Sequence, residues 1–270
     1  MNSPGQKRIA HLKALTRLYV GRLALFGVFL TVWWLAIRFG FADPFFISTP
    51  QDVANFLWTT LWKEITPHAA DTFLAMLIAF GLSAVCGVLA GLILFELPAA
   101  KRLVDPFLTA LNSMPRIALA PVFILWFGIE VPSKVALAFS LGFFIMLMST
   151  MAGMRNIDPV LLRLGRSLGC SPWQQFTTIS LPWAIPSVFA GLKLTLIYCF
   201  LGVVTSEMLA SRLGLGNLIM YYSGLLRMDA VLGILFVMAL FAVALTMVAD
   251  AVESVLLGDW TEPQANSITR

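Results

Sequence analysis

DPVLLRLGRSLGCSPWQQFTTISLPWAIP, residues Asp158 to Pro186, is a long and mostly polar interruption in the second half of an otherwise apolar chain. Its residues encode two short helices. Asp158 can accept from the orphan amides of a helix whose first residue is Pro159, which has no amide to orphan. That helix carries Leu161, Leu162 and Leu164 and closes at Gly169, the residue best suited to a left-handed turn. Ser171 then serves as the next N-cap, with Pro172 as first residue and Gln174 at the capping-box position. Leu181-Pro182 ends this second helix, and a new apolar run starts near Pro186. Two short helices joined at a glycine and held between apolar runs have the form of a docking surface.

Working outward, composition sets the class. Of 270 residues, 59% are hydrophobic and 12% charged, about half the charge of a soluble domain. Several apolar runs reach the roughly 20 residues that a membrane-crossing helix needs. The expected fold is therefore all-α and polytopic. A net charge of +4 spread over such a chain is no nucleic-acid footprint. Cys86, Cys170 and Cys199 have no ligand spacing, and His11 and His68 are too far apart to imply a metal site. No Ser/His/Asp or Cys/His arrangement points to catalysis, so the chain reads as a non-enzyme.

The chain divides into a basic segment 1–22, a membrane domain 23–256 and a tail 257–270. Six spans are expected at about 23–39, 72–95, 107–127, 134–154, 187–209 and 230–256, with the two-helix loop over 158–186. The first is read as an uncleaved anchor, since no convincing small-residue cleavage site follows it. Ala42 to Pro67 reads as an outer segment holding an interfacial helix, with Trp58 and Trp62 at headgroup depth. The second span has a small-residue face of Gly81, Ser83, Ala84, Gly87, Ala90 and Gly91, which permits close helix contact. The third is interrupted by Pro115 and Pro121. Arg212 to Asp229 reads as a polar outer loop. Lys and Arg are in excess on the side that holds Lys101, Arg102, Arg155, Arg163 and Arg166. That excess puts both termini and the two-helix loop in the cytoplasm.

With that location, LLRLGRSLGCSPWQQFTTISLPWAIPSVFAGLKL resembles the cytoplasmic loop of ABC importer permeases. Gly169 matches that family's glycine, and Ile179, Leu181 and Pro182 match its Ile-x-Leu-Pro. Arg163, Leu164 and Gly165 stand where Glu-Ala-Ala usually stands. MPRIALAPVFILWFGI (Met114 to Ile129), GVVTSEML (Gly202 to Leu209) and GLGNLI (Gly214 to Ile219) are similar to the nitrate/sulfonate/taurine group. The similarity covers about residues 45 to 255. It implies a type I importer permease in a bacterial inner membrane. The partners it implies are a second permease copy, a cytoplasmic ATPase dimer with Mg-ATP and an extracytoplasmic binding protein. The coupling residues would be Arg163, Arg166, Gly169, Ser171, Pro172, Trp173, Gln174, Phe176, Leu181 and Pro182. Trp173 and Phe176 would be knobs in an ATPase groove, with Gln174 and Gln175 at its rim.

The sequence agrees on one absence. It contains no G-x-x-x-x-G-K-[ST] phosphate loop, so energy from ATP would enter through a partner, and the chain itself needs no cofactor. Pro115, Arg116, Pro121 and Glu207 are the candidate pathway residues. Two readings of the charges stand side by side. Arg116 attracts the head group of an anionic solute, or Arg116 and Glu207 approach one another in a two-fold dimer and form a structural ion pair, since intramembrane charges usually find protein partners. The alternative function is a self-contained secondary transporter of a small organic anion. That class predicts inverted repeats, and the sequence carries no convincing repeat.

Overall fold

The computed structural model describes residues 4–41 and 43–257, and every regular element among them is helical. Beyond Leu257, the tail expected over 257–270 lies outside the described residues. The helices are α1 (Pro4–Arg38), α2 (Pro50–Thr60), α3 (Thr66–Glu96), α4 (Pro98–Ser113), α5 (Ala120–Phe127), α6 (Val131–Arg155), α7 (Pro159–Ser167), α8 (Pro172–Gln175), α9 (Leu181–Leu209), α10 (Leu215–Gly224) and α11 (Met228–Leu257). Five helical runs among the described residues are long and apolar enough to cross a membrane, or six if the bent α4–α5 pair counts as one.

The described chain divides into two units. One takes the residues up to Leu61 together with Tyr222–Gly233, the other Trp62–Tyr221 together with the chain from Ile234 onward. In the first, the Thr49 hydroxyl caps α2 by accepting from the Asp52 amide at 3.2 Å. Phe56 meets Tyr222 edge-on at 5.3 Å. The Arg227 guanidinium lies over both rings and donates to Asp229 at 2.7 Å.

The second unit is built on α3, α6 and α9. Without a hydrophobic drive between helices in lipid, close approach depends on small residues. Part of the small-residue face expected on the second span does this work. Ser83, Gly87 and Gly91 are buried, and a Cβ at Gly91 would come within 2.7 Å of Thr150. From α6, Gly142 meets α9 and α3 together, where a Cβ would lie 2.6 Å from the Cys199 sulfur and 2.7 Å from the Ser83 hydroxyl. Gly81, in contrast, faces open space.

Two expectations are corrected here, and a third gains detail. The helix expected within Ala42–Pro67 does not stop before the second span. A π turn over Leu61–Ile65 carries α2 into α3, giving one helical run from Pro50 to Glu96. Pro67 falls in the first turn after that π segment, where a missing amide costs little. The stretch Arg212–Asp229 is not simply a polar loop, because α10 occupies its middle and buries Leu215, Leu218 and Ile219. Only one of the two prolines in the third span breaks it. Met114 is extended (φ −71°, ψ 135°) before Pro115, as the proline ring demands of its predecessor. The chain bends there by 87° between α4 and the following Arg116–Phe127 segment. Pro121 instead sits in the first turn of α5, a position that tolerates it.

A leucine at Gly142 should lower stability by about 3 kcal/mol or more through overpacking, read as a fall in the unfolding midpoint in detergent. Gly81→Leu, pointing into open space, should leave that midpoint within about 0.5 kcal/mol of the parent.

Candidate functional site

The two-helix loop is a braced unit. The Asp158 carboxylate accepts from the Val160 amide at 2.8 Å, and α7 closes through Gly169 at φ +78°. The Cys170 amide returns to the Gly165 carbonyl at 3.0 Å. Ser171 and Gln174 form the reciprocal capping box, with the Ser171 amide donating to Gln174 Oε1 at 2.8 Å. Gln175 Nε2 donates to the Leu162 carbonyl at 2.6 Å, which ties α8 to α7. Gly165 sits at the crossing, where a Cβ would lie 2.9 Å from Ile179 Cδ1.

These bonds change the expected roles. Gln174 Oε1 and Gln175 Nε2 are each engaged inside the loop. Phe176 packs on a small core with Met154, Ile157 and Ala184, while Trp173 is 71% exposed. The ring centroids of Trp173 and Phe176 are 5.8 Å apart, so Phe176 supports the tryptophan from behind. A recess of about 370 Å³ opens beside them, lined by Leu92, Ile93, Glu96, Leu97, Pro172, Trp173 and Phe176. Leu181-Pro182 does not end the second helix. A π turn over Phe176–Ser180 joins α8 to α9, with the Leu181 amide reaching back to the Phe176 carbonyl. The longer register leads helically into Pro182, which has no amide to place.

Arg116 opens a short 3-10 turn directly after the break at Pro115. Its guanidinium donates to Asn112 Oδ1 and to the Leu141 carbonyl (3.4 Å), and lies 4.3 Å from the centroid of Phe144. All three partners are neutral. Among the described residues Arg116 has no carboxylate partner, so the pairing with Glu207 is not formed within the chain. Glu207 is paired with Lys134.

Glu207 lies in a buried cluster built from four elements. Lys134 Nζ, on α6, donates to Asp71 on α3, to Glu207 Oε1 on α9 at 3.2 Å, and to the Leu213 carbonyl at 2.7 Å. Thr72 donates to Glu207 at 2.9 Å and receives the Leu215 amide at 3.0 Å. The Gly216 amide donates to Glu207 Oε2 at 3.0 Å. The Gly214 amide donates to His68 Nδ1, also at 3.0 Å. Lys134 and Glu207 are each 1% exposed. Gly214 has φ +121°, and a Cβ there would collide with the Glu207 carboxylate. Lys134, the first residue of the span expected at 134–154, is not among the candidates that the sequence singles out. The available signal was the spacing of Glu207, Gly214 and Gly216, two glycines that let a backbone approach an acid. A smaller trio sits elsewhere, where Lys193 donates to Asp250 at 2.5 Å and pairs with Glu253.

Apolar helices packed around buried charges define an integral membrane protein. Residues 83–257 match the family described as the binding-protein-dependent transport system inner membrane component, and the chain belongs to that family. It is 30% identical over 240 residues to the taurine transport system permease protein TauC of Escherichia coli K12, covering 85% of each chain. It is 29% identical to the putative aliphatic sulfonates transport permease protein SsuC of Bacillus subtilis 168, covering 80% of this chain and 76% of that one. Its fold is similar to an inward-facing structure of the MetNI methionine ABC transporter, with a TM-score of 0.62 at 17% identity over 71% of this chain and 95% of that one.

Removing Lys134 alone, as in Lys134→Met, leaves two acids without their counter-charge and should cost about 3–5 kcal/mol. The triple variant Lys134→Met, Asp71→Asn, Glu207→Gln should recover most of that loss. Unfolding midpoints in detergent check both.

Proposed function

We propose that the chain forms the substrate path of an ATP-driven importer for a small anionic solute of the sulfonate, taurine or nitrate class. Two copies pair in a bacterial cytoplasmic membrane, with both termini of each inside, and permease spans occupy 23–256. A cytoplasmic ATPase dimer holds Mg-ATP and docks on the two-helix loops. An extracytoplasmic binding protein delivers solute at the other side. Closing of the ATPase dimer pulls the loops and opens the pair outward; its release reopens the path inward.

The observation that carries the substrate class is Arg116. A guanidinium in a membrane span costs about 3 kcal/mol on insertion scales unless it is paired or wetted. Here it stands at a broken helix with only neutral partners. Irregular backbone at such a break is tolerable where it faces protein or a water-filled cavity. A cation left with only neutral partners at such a break favours an anionic solute. The names of the taurine and aliphatic sulfonate relatives support the same class. The lack of a phosphate loop in the sequence supports a separate ATPase, and the exposed Trp173 supports docking at α8.

In nanodiscs with its ATPase and binding protein, Arg116→Gln should transport at least about tenfold more slowly, equivalent to about 1.4 kcal/mol, while the complex still assembles. Arg116→Lys should retain part of the rate. Normal transport by Arg116→Gln would remove this residue from the path. For docking, Trp173→Ala should reduce the ATPase recovered with the permease, whereas Phe176→Ala should chiefly lower loop stability, since Phe176 packs inward. Unchanged ATPase recovery with Trp173→Ala would count against docking at α8.

A further inference from the structure

The outward surface of the two-helix loop has a charge polarity of its own. Val160, Leu164 and Leu168 are 55%, 53% and 73% exposed. At 3.6 residues per turn, positions four apart lie about 40° from each other, so the three form one apolar stripe. Arg163 and Arg166 are also exposed; Arg163 borders the stripe, about 60° round the helix from Val160, and Arg166 lies about 60° further on. Neither has an ion pair among the described residues. The one acid in the stretch, Asp158, is occupied as the cap of α7. Residues 155–175 thus carry three arginines against one aspartate, a net charge of +2.

Past Trp173 the surface is not flat. The recess beside it has apolar walls from Leu92, Ile93 and Leu97, and one carboxylate, Glu96. A carboxylate in that wall opposes the phosphates of an anionic membrane surface. It suits a protruding lysine or arginine, whose stem lies along apolar walls while its head meets the acid. The bracing bonds within the loop leave all of these exposed groups free.

We infer that the loop docks on an ATPase groove of complementary chemistry. That groove presents acidic side chains along one rim, opposite Arg163 and Arg166, and a cationic side chain that enters the Glu96 recess. This rests on the reading that the loop binds an ATPase and adds the polarity of the contact. The polarity selects the partner, because an ATPase with a basic rim would meet like charge.

The test is binding of the co-purifying ATPase subunit to the full permease in nanodiscs. Arg163→Glu with Arg166→Glu should weaken binding about tenfold to hundredfold, and Glu96→Lys should weaken it in the same range. Parent binding should fall steeply between about 50 and about 500 mM salt, and the double variant should lose that dependence. The inference is overturned if the double variant binds like the parent with the same salt response. Trp173→Ala with Leu168→Ala separates the two readings. If it weakens binding while the arginine pair does not, docking stands and the polarity is wrong; if it leaves binding intact, docking itself fails. A solvatochromic label at Ser167→Cys tests the lipid alternative without ATPase. A response to phosphatidylglycerol that the arginine variants abolish, with ATPase binding unchanged, would assign the surface to lipid and overturn the inference.

Discussion

The contact between Lys134 and Glu207 is the constraint on which much of this architecture depends. A buried cation and two acids cannot be left singly in a low-dielectric interior. Their need for one another fixes the axial register of α3, α6 and α9, because each helix must present its charged residue at one depth. The same need draws in backbone. The Leu213 carbonyl and the amides of Leu215 and Gly216 complete the coordination. That in turn requires glycine at 214 and 216, where any side chain would strike Glu207 or the α9 backbone. Charge, register and glycine placement are thus one problem with one solution. The small-residue contacts at Gly87, Gly91 and Gly142 solve the separate problem of how closely the helices approach.

The parts of this structure that were legible in the sequence depend on neighbours within a few residues. Asp158 with Val160, and Ser171 with Gln174, are capping interactions spanning two or three positions. The closing glycine at 169 follows from its own backbone preference. The ion cluster was not legible in that way. Lys134 is 63 positions from Asp71 and 73 from Glu207, and no local rule relates residues so far apart. Within the chain Glu207 does not pair with Arg116. Two charges in one membrane domain invite a pairing, but a nearer amine was available.

The prolines make a second case. Pro67, Pro115, Pro121 and Pro182 look alike in sequence, yet only Pro115 breaks its helix. Pro121 opens a helix. Pro67 and Pro182 each follow a π turn, in which the chain gives up one register step and goes on. The same residue type therefore ends, begins or passes through a helix according to the turn before it. Packing is what selects among these outcomes. Phe176 and Ile179 on the second π turn are held by the core around Met154 and Ala184, which keeps the helix whole through Pro182.

That continuity bears on how a loop can drive a transport path. Had the helix ended at Leu181, the loop would be a separate piece, joined to the span through a joint that could absorb motion. Instead α8, the π turn and α9 form one helical run from Pro172 to Leu209, 38 residues long, or about 57 Å at 1.5 Å per residue. Its beginning carries Trp173 on the exposed surface, and its far end carries Glu207 in the buried cluster. That run contains a π turn and Pro186, and it reaches the cluster that holds the 213–216 segment. Because Lys134 ties α9 to α6 and α3, the three helices resist sliding past one another. The break at Pro115 differs, having no continuous helix across it and leaving Arg116 with only neutral partners. A tied three-helix bundle beside one broken span, whose cation has only neutral partners, is the arrangement that the proposed import cycle would use, with the push entering at α8 and solute passing Arg116.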